Sequence, residues 1–198
     1  MRDKVVNNLI IKIKEKNSNF DEIKLSEIRY GLQGLYTLVT KSFVTILLAI
    51  IFNIVFEFFL TLLFYIPLRS LGFGTHAKSN MQCWIFSILF LLLFPYLFNI
   101  ININILLKII IWLLCFINLV IFSPADTKKR PMINRVRKLK FKIGIIILSV
   151  IYLILIFIFN ELSNLILYSL LLEGFLVNPL GYILMGEKVR FSLNWKYI

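Results

Sequence analysis

His76 and Cys83 are the residues of this chain whose types and spacing could do chemistry. His76 is the sole histidine among 198 residues, and it stands seven positions before one of the two cysteines. An imidazole beside a thiol makes a nucleophile–base pair: the ring takes the thiol proton and the thiolate attacks a carbonyl carbon. Both lie in the polar segment Arg69-Ser-Leu-Gly72-Phe-Gly74-Thr75-His76-Ala77-Lys78-Ser79-Asn80-Met81-Gln82-Cys83, which long apolar stretches bracket. The bland alternative is a polar loop histidine and a cysteine that packs at the mouth of a membrane span.

On one continuous helix these two residues would share a face but sit about 10 Å apart along the axis. Proton transfer needs about 3 Å or a bridging water. His76 is therefore expected on a segment that folds back toward Cys83, with Gly72 and Gly74 supplying backbone freedom. Ser79-Asn80-Met81-Gln82 matches the capping-box pattern. It predicts a helix that starts with Ser79 as N-cap and carries Cys83 in its first turns. A helix N-terminus and a nearby imidazolium both favour a thiolate. Backbone N–H groups there, with the side chains of Gln82 and Asn80, are candidates to stabilise an oxyanion. Two ligands are too few for a metal, and no metal or other cofactor is expected. Cys115 lies in the apolar run Ile109–Val120 and reads as a small buried hydrophobe that does not reach Cys83.

Charged residues around the pair have two readings each. Arg69 and Lys78 either anchor the loop at the interface or clamp a substrate carboxylate. Glu173 is a lone acid in an apolar run, and such acids face the bundle interior and pair with something. Pairing with Arg69 and orientation of His76 are both open. Asp126, in Ser123-Pro124-Ala125-Asp126-Thr127-Lys128-Lys129-Arg130-Pro131, is a second candidate to orient the histidine, against turn formation or capping.

The elements that must position these residues are membrane helices. Hydrophobic residues make up 60% of the chain and mean hydropathy is +0.88, well above a soluble domain. Windows with at most one charge each, long enough for about one crossing, predict spans at 84–99, 105–122, 143–160 and 163–184. Residues 37–68 read as two short spans turning near Asn53–Phe58, which leaves Glu57 close to an interface; one long tilted span is the alternative. The fold class expected is all-α, a polytopic integral membrane protein of about six helical segments forming a single domain. Residues 1–36 read as amphipathic basic helices on the membrane surface, with Val5, Val6, Leu9, Ile10 and Ile13 at helical spacing. No cleavable signal peptide is expected, because Arg2, Asp3 and Lys4 open the chain without a small-residue cleavage site after them.

Net charge is +12, and Lys128–Lys142 holds eight basic residues and no acid. Such a cluster marks the cytoplasmic side and attracts anionic lipid. A sharper reading makes Lys128, Lys129 and Arg130, with Lys78, a docking surface for an acidic peptide. Nucleic acid is excluded as a partner, since the cluster abuts two spans and has few aromatics to stack on bases. The N-terminus, the reactive loop 69–83, the basic loop 123–142 and the C-terminal tail are all expected on the cytoplasmic face of a cell membrane. A transporter or exporter without covalent catalysis needs polar residues along a path, and Glu57, Lys108 and Glu173 are a thin set for one. A non-catalytic scaffold leaves the His/Cys coincidence unexplained.

The pattern Arg69…Gly72-x-Gly74-x-His76-Ala77-x5-Cys83, followed by an apolar span, resembles the accessory gene regulator B family. Pro124-Ala125-Asp126-Thr127-Lys128-Lys129 and Pro131 after the third apolar block are a second similarity, and the likeness covers essentially the whole chain. One departure is Phe73, which separates two glycines that are adjacent in many members. The resemblance implies a membrane cysteine endopeptidase of Gram-positive quorum sensing, with Cys83 as nucleophile and His76 as base. Its implied substrate is a short precursor peptide with an amphipathic leader and an acidic tail. Loss of the tail leaves an acyl-thioester, which the peptide closes to a thiolactone or lactone. A homodimer is also implied.

Overall fold

The structure, a computed structural model, describes residues 2–16, 20–75, 79–125 and 134–186. Every regular element among them is helical. They are α1 (Arg2–Lys16), α2 (Glu22–Ile51), α3 (Val55–Gly72), α4 (Asn80–Ile88), a π-helical turn (Leu89–Leu93), α5 (Phe94–Ile100), α6 (Ile105–Phe122), α7 (Arg135–Ile158), α8 (Ser163–Val177) and α9 (Pro179–Leu184). Five helical stretches are long and apolar enough to cross a membrane: Glu22–Ile51, Val55–Gly72, Met81–Ile100, Ile105–Phe122 and Arg135–Ile158. The chain is an all-α membrane protein, as its sequence implies. It divides into two compact units, the first ending at Ile51 and the second beginning at Phe52.

In the first unit α1 runs antiparallel to α2. Gln33 Nε2 donates to Asp3 Oδ1 at 3.3 Å, while Val6 and Ile10 pack with Leu25, flanked by Ile13, Phe20 and Ile28. Part of the predicted amphipathic stripe is thus taken up by α2, and Val5 and Leu9 remain exposed. α2 passes through residue 36 without a break, so the second surface helix and the first arm of the 37–68 region are one helix of 30 residues. The region is two helices, not one long span: the chain breaks at Phe52–Ile54, where Asn53 takes φ 55°.

The second unit is built around α8. Thirteen of its 15 residues are buried, and α3, α5, α6, α7 and α9 all pack on it. At 1.5 Å per residue α8 is only about 22 Å long, shorter than the roughly 30 Å hydrocarbon core. The sequence pattern ran it on to residue 184. The helix stops at Val177 because Pro179 disfavours helical backbone before it and Asn178 Oδ1 instead caps α9 through Leu180 N–H at 3.0 Å. α7 differs in the other direction. It begins at Arg135, so the basic residues from Arg135 to Lys142 form its first two turns and not a loop. The span Asn80–Ile100 is continuous, with a π turn just ahead of Pro95. The wide turn accommodates a residue that has no N–H and crowds the preceding carbonyls.

This span runs antiparallel to α8. Asn164 Nδ2 donates to the carbonyl of Ile101 at 2.9 Å, and Tyr168 Oη donates to that of Phe90 at 2.7 Å. The Phe90 ring also meets that of Phe175 at a tilt, centroids 5.8 Å apart. Toward the start of the span, Phe86 and Phe90 pack against the cluster of Leu172, Leu176 and Met185, at the end of α8 that receives the segment after α3.

Candidate functional site

The segment that leads to His76 leaves α3 through a tight, fully bonded turn. Phe73 N–H donates to Arg69 C=O at 3.1 Å, and Gly74 N–H donates to Gly72 C=O at 3.1 Å. With φ 66° and ψ −78°, Phe73 is the centre of a γ-turn of the rare, strained hand. Thr75 N–H then donates to Leu176 C=O at 2.9 Å, tying the chain to the last turn of α8. Arg69 Nη2 donates to Thr75 C=O at 2.5 Å. Ala125 N–H donates to Gly72 C=O at 2.9 Å, which joins this turn to the segment after α6. The described parts of the two sequence patterns, up to Thr75 in one and Pro124 and Ala125 in the other, therefore meet through a backbone hydrogen bond.

The glycines are required for different reasons. Gly74 has φ 66°, and a Cβ there would strike the Arg69 guanidinium and come within 2.9 Å of the Leu176 carbonyl oxygen. Gly72 is helical; its missing side chain makes room for the Glu173 carboxylate and for Ile145 Cδ1, 2.9 Å from where a Cβ would stand. Backbone freedom, expected of both, is needed only at Gly74; at Gly72 the need is space.

Glu173 is fully buried and Arg69 Nη1 lies 3.7 Å from its Oε2. Arg69, one of the two partners left open by the sequence, faces the carboxylate; His76, the other, lies outside the described residues. The contact is longer than a hydrogen bond, and neither carboxylate oxygen nor Nη1 has a hydrogen-bond partner among the described residues. Attraction between full charges carries the pair, inside a region of low dielectric. Tyr65, one turn before Arg69, lies within electrostatic reach of both. The guanidinium thus has two tasks, holding Thr75 by one arm and facing Glu173 with the other.

Cys83 sits where the capping pattern put it. Ser79 is the N-cap of α4 and the box is reciprocal. Gln82 N–H donates to Ser79 Oγ at 3.1 Å, and Ser79 N–H donates to Gln82 Oε1 at 3.3 Å. Cys83 N–H donates to Ser79 C=O at 3.0 Å, and Cys83 C=O accepts from Ser87 Oγ at 2.8 Å. The side chain is half-buried and a thiol; Cys115 is a buried thiol in the core of α6.

His76, Lys78, Asp126, Lys128, Lys129 and Arg130 lie outside the described residues, so the structure speaks to Arg69, Ser79, Gln82, Cys83 and Glu173 among the candidates. It brings both flanks of the histidine to one end of α8. Thr75 is pinned there and Ser79 opens α4 there, with three residues between, a reach of at most about 14 Å from Cα to Cα. Phe73, Thr75, Ala125, Phe141 and the Leu176 carbonyl belong to the same assembly and were not singled out as site residues. A bulky residue between two glycines was the one signal available for Phe73; a backbone carbonyl leaves none.

The chain matches the family model described as Accessory gene regulator B over residues 3–177. The accessory gene regulator protein B of Staphylococcus epidermidis is 34% identical over 168 residues, covering 85% of this chain and 87% of that protein. Its namesake from Staphylococcus carnosus strain TM300 is 34% identical over 155 residues, covering 76% and 81%. That of Staphylococcus aureus strain bovine RF122 / ET3-1 is 29% identical over 168 residues, covering 85% and 90%. No solved structure matches the chain. Arg69, Gly72, Gly74 and Ala125, described residues that carried the resemblance in sequence, meet at one turn, the family model spans all but the two ends of the chain, and the chain belongs to the accessory gene regulator B family.

Proposed function

We propose that this protein is a membrane cysteine endopeptidase that removes the C-terminal tail of a short precursor peptide and closes the remainder to a thiolactone or lactone signal for quorum sensing. The observation that carries this reading is the convergence of Cys83, in the first turn of a fully capped helix, and the segment pinned up to Thr75, the residue before His76, at the same end of α8. Building an anchored turn and a capped helix on either side of three residues is what a positioned base and nucleophile require.

In this mechanism His76 accepts the Cys83 proton and the thiolate attacks the carbonyl before the tail. The C–S bond forms, the C–N bond breaks, and His76 returns the proton to the leaving amine. With Gln82 N–H committed to the cap, the N–H groups of Asn80 and Met81 at the positive helix end are the backbone donors for the oxyanion. A thiol or hydroxyl of the bound peptide then attacks the acyl-thioester, its proton passes to Cys83 through His76, and the ring closes. Exchange of one thioester for another keeps the acyl bond activated, and exclusion of water at the bilayer surface favours ring closure over hydrolysis. The basic residues at this end attract an acidic tail. The polar side chains a transporter would need are taken up locally instead: Glu57 accepts from Asn99, Lys108 donates to Ser163 and Glu173 faces Arg69.

The test is co-expression with a candidate short precursor peptide that has an amphipathic leader and an acidic tail, followed by mass analysis of released tail. Cys83→Ala and His76→Ala are expected to release none. Normal tail release from Cys83→Ala would sink the peptidase reading.

A further inference from the structure

The reading of the site leaves one residue unexplained, Phe73. A bulky side chain at φ 66° and ψ −78° is a backbone outlier, and such a conformation persists only where its surroundings over-determine it. The backbone anchors described above hold the turn from within, and the Phe73 ring holds it from outside. It meets Phe141 of α7 edge-on, centroids 5.0 Å apart and planes at 87°. One turn earlier on α7, the Arg137 guanidinium lies over the Phe141 ring at 5.6 Å. Arg137 is exposed, whereas Phe73 and Phe141 are half-buried. Two aromatic contacts therefore join an exposed cation of the basic stretch to the strained turn that leads into Thr75.

We propose that Phe73 is a positioning residue that couples the basic first turns of α7 to the loop leading to His76, so that an acidic peptide tail bound at Arg137 sets that loop for cleavage. The proposal rests on the peptidase reading above. A guanidinium held over a ring face by cation–π attraction still presents N–H groups to a carboxylate. A tail carboxylate on Arg137 thus adds a charge-assisted contact while the cation stays over Phe141, and fixes it there. The ordered Phe141 ring fixes the Phe73 edge, and the turn stays in its strained form instead of relaxing. The two states of the coupling are that turn held and that turn relaxed.

The test uses the full chain in phosphatidylcholine vesicles, whose lack of anionic lipid leaves the basic face open. The precursor peptide identified by co-expression is supplied with its own acidic tail and with the tail carboxylates converted to amides, and tail release is followed kinetically. In the wild type the neutral tail is expected to raise KM and also to lower kcat about tenfold. Phe73→Gly removes both the ring and the strain, and Arg137→Lys keeps the charge at an exposed site while losing the guanidinium fork that can face the ring and a carboxylate together. Each is expected to retain the KM effect while its kcat becomes the same for both tails. A kcat that still falls tenfold in both variants, or a wild-type kcat indifferent to tail charge, would overturn the coupling. Absence of cleavage of either precursor by the wild type would instead overturn the peptidase reading beneath it.

Discussion

Arg69 is the residue on which the site turns, because its planar fork serves two partners at once. One arm holds the Thr75 carbonyl and the other faces a buried carboxylate. Removing one member of a buried pair leaves the other charge uncompensated, at a cost of about 3–5 kcal/mol. Glu173→Ala is expected to lower the thermal midpoint of the detergent-solubilised protein clearly. Adding Arg69→Met to it should restore most of that stability while tail release is lost, since Thr75 has then lost its donor. Thermal unfolding and mass analysis of the same preparations check the pair of outcomes; tail release by the double variant would refute the holding role of Arg69. Gly74→Ala acts on the same loop from the backbone side. Its Cβ meets the guanidinium and a carbonyl at a positive φ, and strain of this kind costs about 1–3 kcal/mol. Tail release is expected to fall at least tenfold with membrane insertion unchanged, as read by immunoblot of the membrane fraction. At this scale the sequence was informative about Cys83, about the capping residues and about Arg69 and Glu173 as a candidate pair. It was silent on the Leu176 carbonyl and on Ala125, because backbone groups recruited from distant segments leave no residue-type signature.

At the scale of elements, α4 is the segment most directly specified by local chemistry. The box Ser79/Gln82 satisfies two N–H groups that an uncapped helix start leaves bare, and loss of such a cap costs about 1 kcal/mol. Ser79→Ala is expected to reduce tail release several-fold, and Ser79→Asp, which restores the acceptor, to recover it. An unaffected Ser79→Ala would mean that Cys83 is placed by tertiary packing alone. Elsewhere the apolar windows found the helices but misjudged their ends, in both directions for physical reasons. α7 was begun late because Arg135–Lys142 are costly in hydrocarbon, yet long cationic side chains can remain helical while their heads reach the interface. α8 was carried too far because Leu, Ile and Tyr continue past Asn178 without a charge, and only the Asn-Pro step marks the stop. The break at Phe52–Ile54 falls at the start of the expected turn Asn53–Phe58, but length did not decide it: residues 37–68 are barely enough for two crossings, and one long tilted span stayed open beside the hairpin.

For the second unit as a whole, every chain segment that converges on the candidate site enters from one end of α8, and the opposite end has a different chemistry. At the site end stand the start of α4, the turn after α3, the segment after α6 and the basic first turns of α7. At the other end, Asn104 caps α6, Asn164 binds carbonyls after α5, and Lys108 reaches Ser163 at the start of α8. Basic residues are retained on the cytoplasmic side of a bilayer, and orientation follows their excess near span ends. The second unit is accordingly expected to place its site end inside the cell, where a ribosomally made precursor is available. Single cysteines introduced at Asn104 and at Lys140, in a chain whose Cys83 and Cys115 are replaced by serine and alanine, distinguish the two orientations. A membrane-impermeant maleimide should label the cysteine at 104 on intact cells and the one at 140 only after permeabilisation. The reverse pattern would put the thiol on the far side of the membrane from its substrate. It would remove the peptidase mechanism on topological grounds, whatever the geometry of Arg69, Glu173 and the capped helix.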